Sequence, residues 1–73
     1  MSSELVGRFG YRGCTIEVHE LWEPCHLMQS SFVSVGHGVR WRNEWTGQCF
    51  TELRFLFPNP NDALNHAVRM IDD

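Results

Sequence analysis

Only one stretch of this chain carries a helical repeat, and it lies at the C-terminal end, so whatever precedes it has to be built from strands and turns. In Asn59-Pro60-Asn61-Asp62 the first asparagine can cap a helix. Proline suits the first helical position, where its missing N–H would be unpaired in any case, and Asp62 favours the positive end of the helix dipole. Leu64, Ala67, Val68 and Ile71 then recur at helical spacing and form one apolar stripe. Asn65, His66, Arg69, Asp72 and Asp73 are left largely to solvent.

Upstream the period changes to two. From Tyr11 to His19, Cys14, Ile16 and Val18 fall on one face of an extended segment and Thr15, Glu17 and His19 on the other, which reads as a half-buried strand. Phe32 to Asn43 alternates again, with Val33, Val35, His37, Val39 and Trp41 on one side. Gly36 and Gly38 flank His37, so this stretch is either one long strand with a glycine bend or two short strands joined by a tight turn. Asn43 to Gln48, with Gly47 to supply a positive φ, reads as a turn. Cys49 to Phe57 reads as the last strand, with Cys49, Thr51, Leu53, Phe55 and Phe57 towards the core and Glu52 and Arg54 opposite. Glu20 to Ser30 holds Pro24 and the bulky Leu21, Trp22, Leu27 and Met28 without a clean period, and reads as a loop that packs down.

The expectation is an α+β fold, β-β-β-α: a three- or four-stranded antiparallel sheet packed against one C-terminal helix. At 73 residues it makes a single domain over 1–73, because a chain near this size buries only about 60% of its unfolded surface and has no room for two cores. Residues 1–9, with only a scattered Leu5, Val6 and Phe9, are expected to be a flexible N-terminal segment.

Charge and cysteine content narrow the function classes. The formal net charge is -3, and the six basic residues are all arginine: Arg8, Arg12, Arg40, Arg42, Arg54 and Arg69. Nucleic-acid binders draw most of their non-specific affinity from phosphate neutralisation, so nucleic acid is an unlikely partner. The first ten residues lack the apolar core of an export signal, and no apolar run approaches the roughly 20 residues of a membrane span, so no membrane association and a cytoplasmic location are expected. Three cysteines fit reduced thiols better than a disulfide framework.

Tyr11-Arg12-Gly13 at the first clear strand, together with Phe57-Pro58-Asn59-Pro60-Asn61-Asp62-Ala63-Leu64-Asn65-His66-Ala67 at the end, resembles small bacterial domains of unknown function built from a Tyr-x-Gly strand, two further strands and a late helix. That resemblance implies a fold and no chemistry. A second similarity is to the AP2-type DNA-binding domain, which also joins a Tyr-Arg-Gly strand to a three-stranded sheet and one helix. It implies DNA reading by sheet arginines and tryptophans, for which Arg12, Arg40, Arg42, Arg54, Trp41 and Trp45 are the matching residue types; the family's other basic positions have no counterpart here.

The remaining chemistry reads as absent. Cys14, Cys25, Cys49, His19, His26, His37 and His66 could ligate a metal, yet the close Cys-x-x-Cys pairs that present two ligands from one turn do not occur, so no metal and no cofactor are expected. Cys25-His26 are sequence neighbours, which seldom face each other as nucleophile and base, and no catalytic residue is assigned. What stands out is a surplus of rings. One helix can cover only one side of a sheet, and Trp22, Trp41, Trp45, Phe32, Phe50 and Leu56 cannot all fit beneath it. The expected function is therefore a non-enzymatic interaction module, a homodimer through the open sheet face, with Trp22, Arg40, Trp41, Arg42 and Trp45 as its surface. Nucleic-acid binding by the same arginines and tryptophans is the alternative, and metal binding a third.

Overall fold

A computed structural model describes residues 2–25 and 31–73, with the side chains of 53 and 54 left out of the description. These residues form four strands and one helix: β1 (Ser2–Tyr11), β2 (Cys14–Pro24), β3 (Phe32–Asn43), β4 (Cys49–Phe57) and α1 (Pro60–Asp72). The strands run antiparallel in chain order, β1-β2-β3-β4. The α+β architecture is as expected, with four strands.

The fourth strand is β1, and it corrects the reading of residues 1–9 as a flexible segment. Ser2 to Tyr11 pairs along almost the whole of β2, from Ser2 opposite Trp22 to Tyr11 opposite Cys14. A register shift between Leu5 and Gly7 breaks the alternation, which is why the segment does not look like a strand in sequence. Tyr11-Arg12-Gly13 accordingly does not open the first strand. Arg12 (φ 47) and Gly13 (φ 76) are the two central residues of a hairpin turn, both in the left-handed region that a two-residue type I′ connection requires.

Glu20 to Pro24, read as loop, continues β2 and pairs with Phe32 to His37. Pro24 is tolerated because it stands at the strand's last position. Leu27 and Met28 of that expected loop lie outside the described residues. Beyond them, the Cys25 N–H donates to the Ser31 carbonyl at 2.8 Å. β3 is one continuous strand of 12 residues, bent at Gly36 (φ 133) rather than broken by a Gly-His-Gly turn. The Asn43–Gln48 turn forms as expected: the Asn43 side-chain oxygen accepts from the backbone N–H groups of Trp45 (2.9 Å) and Thr46 (3.1 Å), and the Asn43 N–H donates to the Gln48 carbonyl at 2.8 Å.

The helix caps as its sequence dictates. Asn59 Oδ1 accepts from the Asp62 N–H at 2.9 Å, with Pro60 in the first turn. Ala63 and Ala67 are fully buried and touch the sheet, so their small side chains let the helix sit close against Ile16, Val18, Val39 and Trp41. Tyr11, Phe57, Leu64, Val68 and Ile71 pack around this cluster. Two residues expected in solvent are engaged instead. His66 lies between Trp41 (ring centroids 6.3 Å apart) and Phe57 (5.1 Å). Asp72 accepts from the Tyr11 hydroxyl at 2.9 Å and pairs with Arg12 at 3.2 Å, tying the first hairpin to the helix end. An acidic side chain at a helix C-terminus opposes the dipole, and these two donors offset that.

β4 also departs from its sequence reading. Phe50, not Cys49 or Thr51, faces the core side, stacked on Trp41 at 5.5 Å with an interplanar angle of 17°. Cys49 and Thr51 are exposed on the opposite face, and Phe55 is 68% exposed. The cause is a register shift: Val39 pairs with Glu52 but His37 pairs with Phe57, so five residues of β4 span two of β3 and the alternation changes sides between them. Phe57 returns to the core. The side chain of Leu53 lies outside the described residues.

The helix shelters only part of its side of the sheet. Thirteen helical residues span about 20 Å, whereas the 12 residues of β3 extend about 40 Å. The molecule measures 45 × 20 × 18 Å, and its radius of gyration, 13.5 Å, exceeds the roughly 11 Å of a compact chain this long.

Candidate functional site

On the face away from the helix, the pairing of four strands sets out polar residues in two rows. The first row runs Arg8, Glu17, Arg40, Thr51 from β1 to β4, and the second Gly10, Thr15, Arg42, Cys49. Glu17 sits between two arginines because both are its direct cross-strand partners. Arg8 donates from Nε (3.0 Å) and Nη2 (2.7 Å) to one carboxylate oxygen, and Arg40 donates from Nε (3.0 Å) and Nη2 to the other. His19 Nε2 lies 3.4 Å from the second oxygen. The carboxylate is only 15% exposed, while Arg8 and Arg40 remain 61% and 54% exposed.

The hydrogen bonds from Arg40, and after them those from Arg8, hold the Glu17 carboxyl at about 2, well below the usual carboxylate range. A depressed native pKa means that the unfolded chain binds the extra proton first, so stability rises with pH across this window. The contribution is complete above about 4.5, the unperturbed value, and is lost as pH falls towards about 2. Acid titration of the folded fraction should show that loss, and Glu17→Gln should remove the dependence in this range. An unchanged acid profile in the variant would exclude Glu17 as its source.

Next to this triad, Thr15 donates to Glu44 at 2.9 Å, and the Glu44 N–H donates to the Gly13 carbonyl at 2.9 Å. Arg42 is exposed, and among the described residues no hydrogen bond or ion pair engages its guanidinium. Arg8, Thr15, Glu17, Arg40, Arg42, Glu44, Cys49 and Thr51 line one open concavity of about 490 Å³.

The residues expected to form one interaction surface are thus divided. Arg40 and Arg42 do share the open face, but Trp41 points the other way, 7% exposed in the core beneath the helix. Trp45 is 83% exposed at the β3–β4 turn, its ring against Gly13. Trp22 is half-buried near the far end of β2, with its indole N–H buried and without a partner among the described residues. The open face is therefore ionic, not aromatic, and a buried Trp41 cannot stack on a base. Of the other sheet arginines, Arg12 belongs to the hairpin turn and pairs with Asp72, and the Arg54 side chain lies outside the described residues.

Sequence reasoning missed Arg8, Glu17, Thr15 and Thr51 as a group. The clue was available in Glu17, whose place on the polar side of a central strand puts it opposite whatever flanks it. Locating Arg8 there required recognising β1.

Cys14 is buried, Cys25 half-buried and Cys49 exposed, all as free thiols. His26 lies outside the described residues, and no three His, Cys, Asp or Glu side chains converge as a metal site among the described ones. Nor is any described helix long and apolar enough to cross a membrane. No protein-family model, curated protein or solved structure matches the chain.

Proposed function

We propose that this chain is a non-enzymatic interaction module that self-associates, through apolar sheet surface that its helix leaves uncovered rather than through tryptophans on the opposite face. The observation that carries this reading is the exposure of nine large apolar side chains among the described residues, in a chain whose buried hydrophobic set numbers eight. Of the nine, Leu5, Val6, Phe32, Val33 and Phe55 are 45–68% exposed and lie on strand segments beyond the buried cluster. Phe32 and Val33, neighbours on β3, stand on opposite faces of the sheet, so this exposed apolar surface lies on both sides of the sheet's end, and exposed apolar surface of that extent marks an interaction site. A second copy is a fitting occupant because a two-fold pairing sets the same patch against itself, covering it on both partners at once. A standard interface of about 800 Å² per partner would cover roughly 15% of the 5271 Å² that the chain exposes.

Light scattering on a size-exclusion column at high micromolar concentration should report a dimer. The double substitution Phe32→Glu, Val33→Glu should weaken association by at least about tenfold, as each desolvated carboxylate opposes burial. It should leave the helical circular dichroism intact, since neither residue touches the core cluster. A wild-type chain that stays monomeric at that concentration defeats the reading.

A further inference from the structure

We propose that the open face of the sheet is a binding site for a small molecule bearing a phosphate group, with Arg42 and Arg40 as its principal contacts and Arg8, Thr15 and Thr51 around them. This rests on the ionic rows and stands independently of the self-association reading. Three arginines and two glutamates line the concavity, so it carries one net positive charge in a chain whose overall charge is -3. That positive charge belongs to Arg42, whose guanidinium no described residue engages.

Glu17 does more than cancel two arginines. By taking the Nε and Nη2 edge of both Arg8 and Arg40, it fixes two long side chains that would otherwise sample many rotamers, and neither Nη1 group donates to Glu17. Preorganised guanidinium donors are suited to oxyanions, because the fork of N–H groups matches two oxygens of one ligand group. Here free donors stand on two strands, Arg8 on β1 and Arg40 and Arg42 on β3, with the Thr15 hydroxyl of β2 committed to Glu44. Thr51 adds a hydroxyl from β4. Donors arriving from several directions suit a tetrahedral phosphate better than a planar carboxylate, whose two oxygens a single guanidinium satisfies. The concavity, about 490 Å³, lies within the range of small-molecule sites and leaves room for the body of a ligand beyond its phosphate. Gly10, at the end of the second row, leaves open space beside Thr15: a Cβ there would meet nothing within 4 Å.

The test is a titration of the full chain followed by amide NMR shifts, with inorganic phosphate, adenosine monophosphate, succinate and a short oligothymidylate as probes. Saturable shifts centred on Thr15, Arg40, Arg42 and Thr51 are expected with phosphate, and tighter ones with the nucleotide. Arg42→Ala should weaken both by about tenfold, the loss of one charge-assisted contact, with the melting temperature unchanged. Arg12→Ala, at the hairpin turn, should have no effect. Shifts scattered over the surface, or affinity unaltered in Arg42→Ala, would overturn the site. Succinate binding as tightly as phosphate would overturn the choice of ligand chemistry, and response to the oligothymidylate alone would assign the face to nucleic acid instead.

Discussion

Trp41→Glu is expected to abolish the folded state outright. Trp41 is 7% exposed, in one cluster with Ile16, Val18, Val39, Ala63 and Ala67, and it stacks on Phe50 and meets His66 edge-on. Truncating a buried aromatic costs about 3–5 kcal/mol, and an unpaired carboxylate in its place adds several more. A chain of 73 residues has a total stability of only about 4–11 kcal/mol. The loss is as large as the whole, so the helical dichroism and the cooperative melt should both vanish at 25 °C. Trp45→Glu provides the contrast. At 83% exposure it should shift stability by no more than about 0.5 kcal/mol. If Trp41→Glu kept a cooperative melt and merely changed the oligomeric state, the ring would belong to an interface and the core described above would be wrong.

That contrast also shows where sequence was informative and where it was not. The helix was legible because its signals are local: Asn59, Pro60 and Asp62 act on the backbone beside them, and the stripe needs no knowledge of the partner surface. The face of β2 was legible for a similar reason, since Cys14, Ile16 and Val18 alternate without interruption and are all buried. Failure came wherever register changed. The shift at Leu5/Gly7 concealed β1, that at Leu21/Trp22 leaves Val35 as an extra residue of β3 without a partner on β2, and the one opposite His37/Val39 moved Phe50 to the core side of β4 and Cys49 and Thr51 to the open face. An extra residue is invisible to a period-of-two reading except as noise.

The candidate site suffered from the same blind spot. Arg40 and Arg42 could be put on one face from their spacing alone. Their common partner could not, because Glu17 and Arg8 come together through pairing between strands, one of which was not recognised. The tryptophans misled in a different way. Residue type marks them as interface material, but only packing distinguishes Trp41, enclosed under α1, from Trp45, left at a turn.

The register shift between β3 and β4 is itself testable at the residue that permits it. Gly36 has φ 133, a region that side-chain-bearing residues rarely adopt, and a Cβ there would lie 2.8 Å from the Leu56 Cβ and 3.2 Å from the Phe57 carbonyl oxygen. Neither neighbour can easily retreat, since one is the root of a side chain and the other is backbone next to a residue packed on the core. Backbone strain of about 1–3 kcal/mol is therefore joined by a steric cost, and Gly36→Ala should destabilise the fold by about 2–4 kcal/mol. Denaturant titration checks it as a lowered midpoint with an unchanged slope. Gly10→Ala is the matching control: its Cβ would meet nothing within 4 Å, so the midpoint should move little. Equal tolerance at the two positions would mean that β4 does not bulge against Gly36. Phe50 would then lose its reason for facing Trp41, and the two polar rows on the opposite face would lose the strand that carries Thr51 and Cys49.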